Sequence, residues 1–168
     1  MPRTYETECW LPTPIDEVFP FFADAWNLER ITPPFLKFEV LTPKPLEMRE
    51  GAIIDYRLRL KGFPIRWRTR IAAWEPPFRF IDTQIKGPYR LWHHEHTFEA
   101  RDGGTLCRDV VTYSYMAQPL VESWWVRKDI EAIFAHRQKV MQELFGGASS
   151  GGDHQIRREA QGAASLPM

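Results

Sequence analysis

The sequence predicts an α+β domain in which a bent antiparallel sheet of about seven strands wraps around a long C-terminal helix. Between Gly51 and Tyr115, apolar and polar residues alternate, and turns containing glycine or proline interrupt the alternation repeatedly. This pattern is typical of consecutive β-hairpins. Residues 122–145 instead carry apolar side chains at the spacing of an amphipathic helix. A helix-start signal near Pro14 and short helical turns over residues 24–34 add two short helices between the first two strands.

The size and charge of the chain limit the classes of function. Its 168 residues suit one domain, and 43% hydrophobic with 14% aromatic residues can supply both a core and the lining of a cavity. Lysine and arginine total 22, as do aspartate and glutamate, so the formal net charge is +0. Without a positive excess, neither nucleic acid nor an anionic membrane surface is an expected partner.

The sequence also lacks signals for anchoring, metal binding through cysteine, and cofactor binding. Cys9 and Cys107 are far apart and outside any CxxC spacing, so neither a zinc site nor a disulfide framework is expected. Residues 1–10 lack the pattern of a secretory signal, and no apolar run is long enough to span a membrane. Gly103-Gly104 follows a strand but is a hairpin turn rather than a phosphate-binding motif. We therefore predict a cytoplasmic protein without a cofactor.

The first forty residues predict one strand, short helical segments and a second strand. Residues 3–11 alternate between polar and apolar side chains, as expected for the first strand. Thr13 has the features of an N-cap for a helix that Pro20 should kink or shorten. Residues 24–34 can form only short helical turns before two prolines, and residues 35–41 resume as a strand.

The meander that follows has one clearly polar face. Its turns are predicted at Gly62-Phe63-Pro64, Glu75-Pro76-Pro77, Gly87-Pro88 and Asp102-Gly103-Gly104. On the first two long strands the polar set is Asp55, Arg57, Arg59, Lys61, Arg66, Arg68 and Arg70. The set that faces the interior is Ile54, Tyr56, Leu58, Leu60, Ile65, Trp67, Thr69 and Ile71. We interpret the arginine-rich face as solvated surface, although an interaction module that uses it with a protein partner or in a homodimer is an open alternative.

The final helix is predicted over residues 122–145. Its apolar stripe comprises Val126, Ile130, Ile133, Phe134, Val140, Met141 and Leu144. Residues 146–168 are rich in small and polar side chains and offer little apolar surface to bury. The predicted organisation is a ligand-binding domain over residues 1–145 and a flexible C-terminal tail over residues 146–168.

Two tight hairpins allow the opposed residues to be predicted. Along an antiparallel ladder, the residue numbers of each opposed pair add up to the same total. The turn at Gly87-Pro88 opposes Phe78 to Phe98, Phe80 to His96, Asp82 to His94, and Gln84 to Trp92. The turn at Gly103 opposes Phe98 to Cys107, His96 to Asp109, His94 to Val111, and Trp92 to Tyr113. The inner face of the sheet therefore carries Asp82 beside His94 and Asp109 beside His96.

Burying polar groups on this inner face is energetically unfavourable. A buried charge or amide costs several kcal/mol unless it is paired or hydrated, so a polar cluster there indicates internal partners, trapped water or a ligand. Arg137 lies on the apolar stripe of the final helix, three residues beyond Phe134. Its guanidinium can reach one of the two aspartates or a ligand carboxylate.

Residues distributed over most of the chain resemble those of a known superfamily. The chain is similar to the polyketide cyclase/START-like (SRPBCC) superfamily of helix-grip proteins, in its cyclase/dehydrase-type ligand-binding branch. The resemblance covers roughly residues 5–145. It rests on Asn27-Leu28, Ile31-Thr32-Pro33-Pro34, Gly51, Asp55-Tyr56-Arg57, Pro64, Trp67, Trp74-Glu75-Pro76-Pro77, Phe80, Asp82, Gln84, Gly87-Pro88-Tyr89, Trp92-His93-His94, His96, Phe98, Gly104-Thr105, Asp109, Tyr113, Phe134 and Arg137.

The resemblance implies a helix-grip fold with a hydrophobic cavity but supplies no substrate. Together with the polar inner face, it favours a noncatalytic domain that binds or carries a small hydrophobic or amphipathic molecule between the sheet and the final helix. The predicted ligand-binding residues are Tyr56, Trp67, Asp82, Gln84, Trp92, His94, His96, Asp109, Tyr113 and Arg137.

Three other interpretations of the polar cluster stay open or are disfavoured. A cyclase or dehydratase could use His94 or His96, oriented by Asp82 or Asp109, as an acid-base pair. The same residues, with Arg137, could instead form a structural network that fastens the sheet to the helix. A metal site is not predicted, because hydrogen-bonded histidine–aspartate pairs account for the residues without one.

Overall fold

The computed structural model describes residues 1–115 and 123–147, except for the side chains of residues 123–125. The strands are β1 (Arg3–Leu11), β2 (Glu39–Val40), β3 (Ile53–Leu60), β4 (Phe63–Glu75), β5 (Arg79–Lys86), β6 (Tyr89–Arg101) and β7 (Gly104–Tyr115). The α-helices are α1 (Ile15–Phe22), α2 (Leu28–Ile31) and α3 (Ser123–Phe145), and single 3₁₀ turns occupy Ala25–Asn27 and Pro34–Leu36.

The seven strands form one antiparallel sheet in the order β1-β7-β6-β5-β4-β3-β2. The C-terminal helix α3 packs on its inner face, where it buries Ile130, Phe134 and Met141 at helical spacing. The short helices α1 and α2 connect β1 to β2 and cover the same face. The predicted α+β fold, with two short helices between the first two strands, is confirmed.

The hairpin arithmetic is confirmed for the strands that carry the polar cluster. In the β5–β6 ladder Phe80 opposes His96 and Asp82 opposes His94. All four predicted pairs of the β6–β7 ladder are present, including His96 with Asp109. The predicted pair of Gln84 with Trp92 is not part of the β5–β6 ladder, which ends one residue earlier at Thr83 and His93.

The prediction of Thr13 as an N-cap was wrong, and the second strand is shorter than predicted. Thr13 does not cap α1, because Pro14 is the N-cap residue and has no capping side-chain hydrogen bond. The Thr13 hydroxyl instead donates a 2.7 Å hydrogen bond to the carbonyl of Phe145 at the end of α3. The second strand is only two residues long, because the preceding 3₁₀ turn ends at Lys37 in a left-handed conformation (φ 44°).

The arginine-rich face of β3 and β4 lies on the outside of the sheet, as predicted. Arg68 forms two hydrogen bonds, of 2.6 and 2.8 Å, to the carboxylate of Asp55 across the β3–β4 ladder. Arg57 forms an ion pair with Glu39 on β2. Because all four side chains are substantially exposed, each pair contributes little to stability.

The C-terminal helix has the predicted end, but one residue of its predicted apolar stripe is exposed. Helix α3 ends at Phe145, as predicted, although Leu144 on its predicted apolar stripe is 39% exposed. The predicted flexible tail lies almost entirely in residues 148–168, outside the described residues. Within the described ranges, no helix is long and apolar enough to cross a membrane.

Candidate functional site

A cavity of about 170 Å³ lies between the inner face of the sheet, the α1–α2 segment and α3. Aromatic side chains form much of its wall, namely Phe21, Phe22, Phe38, Tyr56, Trp67 and Trp92. Apolar cavities of roughly this size are known to hold a single aromatic ring. The site is therefore concave and mostly apolar, with a small number of polar groups in its wall, as is usual for a small-molecule site.

Seven of the ten predicted ligand-binding residues line this cavity: Tyr56, Trp67, Asp82, Trp92, His94, His96 and Arg137. Gln84 does not line it, because its amide donates to the carbonyl of Tyr89 (2.6 Å) and accepts from the Tyr89 N–H (3.3 Å), closing the β5–β6 turn. Tyr113 is buried against Trp92 and Tyr89 in the core. Asp109 contacts both histidines without lining the cavity.

The two histidines each bridge two carboxylates. His94 places Nε2 3.0 Å from Asp109 Oδ1 and Nδ1 3.3 Å from Asp82 Oδ2. His96 places Nε2 2.8 Å from Asp82 Oδ2 and Nδ1 2.9 Å from Asp109 Oδ1. The sequence predicted two separate pairs of neighbours, whereas the structure shows one four-residue cluster with diagonal contacts. The diagonal contacts arise because His94 and His96 project from the same face of β6, with their ring centroids 3.7 Å apart.

Arg137 joins this cluster from the opposite element, helix α3. Its Nη2 donates to His96 Nδ1 at 3.3 Å and lies 3.6 Å from Asp109 Oδ1. Arg137 is 8% exposed, and its guanidinium carbon lies over the ring of Phe22, 5.2 Å from the ring centroid. Of the two partners predicted for Arg137, an aspartate of the sheet or a ligand carboxylate, the structure shows the aspartate, Asp109.

Both histidines have carboxylates beside both ring nitrogens, and the directions of their pKa shifts distinguish them. The pKa of His94 is raised and that of His96 is lowered, which assigns the imidazolium to His94 and leaves His96 neutral. Arginine can only donate, so the contact of Arg137 with His96 Nδ1 is a hydrogen bond when the His96 proton is on Nε2, directed at Asp82. The charges of Asp82 and Asp109 then balance those of His94 and Arg137. The cluster is electrically neutral although each member is almost completely buried.

The causes of these pKa shifts are burial, neighbouring charges and hydrogen bonds. Burial lowers the pKa of both histidines, but the charge of Asp82 and hydrogen bonds to both aspartates more than offset this effect at His94 and raise its pKa. At His96 the positive charge of His94 adds to burial, so its pKa is lowered. Burial raises the pKa of Asp82 and Asp109, but the neighbouring cations and hydrogen bonds prevail and hold both well below the ordinary value.

A second polar group lies on the part of the wall formed by β3 and β4. Tyr56 Oη and Thr69 Oγ1 share a 2.7 Å hydrogen bond, and Trp67 Nε1 donates to Thr69 Oγ1 at 3.1 Å. All three residues line the cavity, and Thr69 is only 2% exposed. Burial, followed by the charge of Asp82, raises the pKa of the Tyr56 hydroxyl. Thr69 was not among the predicted site residues, although its position as the polar member of an otherwise apolar inward set was a signal that could have identified it.

Comparison with protein families identifies the chain. Residues 11–130 match the model of the family described as polyketide cyclase / dehydrase and lipid transport. The chain belongs to this family. The match covers strands β2 to β7 and the first part of α3, and so includes every residue of the cluster except Arg137.

This chain shares its fold with several solved structures of low sequence identity. CV1439 from Chromobacterium violaceum is 17% identical, with a TM-score of 0.67 over 84% of this chain and 96% of its own. Ms6760 from Mycobacterium smegmatis is 18% identical, with a TM-score of 0.63 over 84% of this chain and 89% of its own. Ara h 8.0201 is 18% identical, with a TM-score of 0.60 over 85% of this chain and 99% of its own. The sequence matches none of the curated proteins with which it was compared.

One group of residues in this family member has ligand atoms close enough together for a metal ion. The donor atoms of Asp82, His94 and His96 lie within 4.8 Å of one another. However, their nitrogens already contact carboxylates, and the guanidinium of Arg137 supplies positive charge beside His96. The hydrogen-bonded ion cluster accounts for the arrangement, so the absence of a metal stays a prediction.

Proposed function

We propose that the chain binds or carries a small, largely hydrophobic organic molecule in the cavity between the sheet and α3. The observation that carries this proposal is the cavity of about 170 Å³ in an otherwise packed core. Protein interiors are close-packed, and apolar side chains that line an unfilled space lack contacts on one side. A ligand that fills the cavity supplies those contacts, which supports a binding role for the space.

The wall of the cavity indicates the character of the ligand. Apolar and aromatic side chains from β3, β4, α1 and α3 provide most of the contact surface. Besides Asp24, the charged residues of the wall belong to the cluster of Asp82, His94, His96 and Arg137, whose charges balance once Asp109 is included. The proposed partner is therefore a small hydrophobic or amphipathic molecule rather than nucleic acid.

Native mass spectrometry of the full chain, purified without added ligand, tests this function directly. We expect either a bound small-molecule mass or, for the empty protein, binding of a single-ring hydrocarbon such as toluene. At a toluene concentration of about 100 times its Kd, binding should stabilise the protein by about 2.7 kcal/mol. Absence of any bound mass, together with an unchanged Tm at saturating toluene, would show that the cavity is not a ligand site.

The histidine cluster favours a second candidate, a cyclase or dehydratase that uses an acid-base pair. His94, with its raised pKa, is the proton donor of such a pair, and His96, with its lowered pKa, is the acceptor. Both side chains line the cavity. This arrangement places a protonated and a neutral imidazole against the same apolar space.

Turnover of polyketide-like substrates by the wild type, His94→Ala and His96→Ala distinguishes catalysis from binding. The catalytic candidate requires a loss of turnover of at least about 100-fold in a variant that remains folded. Equal turnover by all three proteins, with folding checked by circular dichroism, would eliminate the catalytic candidate and leave the binding function intact.

A further inference from the structure

The cavity contains a place where one hydrogen-bond donor and one acceptor both lack a partner within the described residues. We propose that Tyr56, Thr69 and Asp82 form a subsite for the hydroxyl group of a small alcohol or phenol. This inference rests on the proposed ligand-binding function, and it adds the chemical class of the ligand to that function.

The donor is identified by counting the polar hydrogens of three side chains on β3 and β4. Trp67 Nε1–H donates to Thr69 Oγ1, which uses the one polar hydrogen of the indole. Tyr56 and Thr69 have one hydroxyl hydrogen each but share a single hydrogen bond. Whichever residue donates in that bond, the other hydroxyl hydrogen has no acceptor in the described part of the chain. Because both residues line the cavity, this hydrogen is available to a ligand.

The acceptor is the carboxylate of Asp82. Both imidazole contacts of Asp82 are made by Oδ2, to His94 Nδ1 and His96 Nε2. Its Oδ1 has no hydrogen bond to another described residue. The side chain retains 16% of its exposure and lines the cavity, so Oδ1 can accept a hydrogen bond from a ligand.

The register of the sheet places the donor and the acceptor near each other. Ile71 opposes Asp82 in the β4–β5 ladder, and Thr69 lies two residues from Ile71 on the same face. Thr69 and Asp82 are therefore diagonal neighbours, with backbones about 7–8 Å apart and side chains directed into the same cavity. The charge of Asp82 acts on the Tyr56 hydroxyl, which is consistent with this proximity.

A hydroxyl group matches this combination of partners. It can donate its hydrogen to Asp82 and accept the free hydrogen of the Tyr56–Thr69 pair. A ligand carboxylate would face the negative charge of Asp82, and a ketone or ether offers no hydrogen to it. A hydrocarbon would fill the space but leave both groups without partners.

Shape-matched probes test the subsite in the full-length chain. p-Cresol and p-xylene differ by a hydroxyl in place of a methyl group, and both are close to the size that the cavity accepts. We expect the wild type to bind p-cresol at least about tenfold more tightly than p-xylene, because hydrogen bonds to a charged group favour the hydroxyl. Quenching of tryptophan fluorescence reports binding, since Trp67 and Trp92 line the cavity.

The double variant Tyr56→Phe/Thr69→Val removes both hydroxyl groups at nearly constant shape. A double variant is needed because either single change leaves one hydroxyl donor in place. It should reduce the preference for p-cresol at least tenfold while it leaves p-xylene affinity within about threefold of the wild type. Thr112→Val, on the outer face of β7, is the matched control and should keep the preference.

The outcomes separate the subsite from the proposed function. If p-xylene binds the wild type as tightly as p-cresol, the subsite is wrong but the cavity still binds ligand. If the double variant keeps the preference for p-cresol, the donor lies elsewhere and the subsite is also wrong. If neither probe binds the wild type, the ligand-binding function itself fails. Should the double variant not fold, equal affinity of the wild type for the two probes still overturns the subsite.

Discussion

His94 and His96 occupy similar positions but are assigned different charges. Both project from the inner face of β6, and each contacts Asp82 and Asp109. Burial and the positive charge of His94 lower the pKa of His96, whereas the charge of Asp82 and hydrogen bonds to both aspartates raise the pKa of His94 despite its burial. His94 therefore holds the second positive charge of the cluster, and the neutral His96 can accept a hydrogen bond from Arg137.

This assignment predicts a specific pH dependence of stability. The pKa of His94 is raised above its unfolded value of about 6.5, so its contribution is complete below about pH 6.5 and is lost as the pH rises through the folded pKa. We expect the difference in free energy of unfolding between the wild type and His94→Gln to decrease above about pH 6.5. Urea denaturation between about pH 6 and pH 9 measures it.

A histidine on the same strand provides the control for this experiment. His93 projects from the opposite face of β6, outside the cluster. His93→Gln should therefore keep the alkaline loss of stability seen in the wild type. A difference between the wild type and His94→Gln that stays constant over the same pH range would contradict the assignment of the imidazolium to His94.

The contributions of Asp82, Asp109 and His96 to stability change with pH in the opposite direction to that of His94. The pKa values of Asp82, Asp109 and His96 are all lowered on folding. Each contribution is therefore present above the unfolded pKa and is lost as the pH falls towards the folded pKa. For the aspartates this loss begins below about pH 4, and for His96 it begins below about pH 6.5. Stability should therefore be greatest near neutral pH.

Removal of Arg137 should destabilise the protein strongly. Arg137→Met keeps the length of the side chain but leaves Asp109 and His96 buried without their cationic neighbour. Loss of one partner from a buried ionic network costs about 3–5 kcal/mol. Arg127→Met is the matched control, because Arg127 lies on the same helix and forms only an exposed pair with Glu131, whose loss costs under about 1 kcal/mol. Equal effects of the two substitutions in urea denaturation would contradict the role assigned to Arg137.

Strand alternation predicts which residues of the site face inward, but not which of them line the cavity. Alternation along β5, β6 and β7 is sufficient to place Asp82, His94 and His96 on the inner face, and the structure agrees. Alternation cannot show which inward residues reach a cavity and which are covered. Tyr113 faces inward but is covered by aromatic neighbours, and it does not line the cavity for that reason. The diagonal contacts of the cluster depend on side-chain rotamers, which strand periodicity does not determine.

At the scale of elements, the end of α3 is held by the segment that follows β1. The hydroxyl of Thr13 donates to the carbonyl of Phe145, the last residue of α3. The hydroxyl of Thr105 on β7 donates to the carbonyl of Thr13 at 2.7 Å. These two bonds link β7, the β1–α1 connection and α3, and they satisfy one of the free carbonyls at the helix end.

Thr105→Val should weaken this connection. Thr105 is completely buried, and the change leaves the Thr13 carbonyl without its hydroxyl donor at constant side-chain shape. The expected loss is about 1–3 kcal/mol, the cost of an unsatisfied buried polar group. Thr112→Val, on the outer face of the same strand, should change stability by less than about 0.5 kcal/mol in the same urea titration. A loss of similar size in both variants would indicate a general effect of valine on β7 rather than this hydrogen bond.

Strand registers were predictable where a tight turn joins the strands, and not where bulges interrupt the ladder. The β6–β7 register was predictable because a tight turn at Asp102-Gly103 fixes the pairing over the whole ladder. The β4–β5 ladder contains two register shifts, which leave no mark on the alternation pattern of the sequence. The Thr13 cap was predicted from local sequence alone, whereas its hydroxyl is used by Phe145, a partner 132 residues away.

At the scale of the whole molecule, core and cavity are formed by the same layer of side chains. Leu11, Phe19 and Met141 fill one end of the space between sheet and helices. Val111, Ile130 and Phe134 fill another part of it. The cavity lies where the α1–α2 segment, rather than α3 alone, covers the sheet. The composition showed enough apolar material for both uses, but the division between them depends on how the helices cross the sheet.

Filling the cavity should therefore separate stability from ligand binding. Ile133→Phe enlarges a half-buried side chain of α3 that lines the cavity, and the added ring can occupy the empty space. Because filling a void restores lost contacts, stability should be unchanged or raised by up to about 1 kcal/mol. The affinity for p-xylene should fall at least tenfold, because ligand and ring compete for the same volume. Ile85→Phe makes the same change at a residue that is 51% exposed near the β5–β6 turn and should leave binding unaltered. If Ile133→Phe bound p-xylene as tightly as the wild type, the hydrocarbon would have to bind outside this cavity.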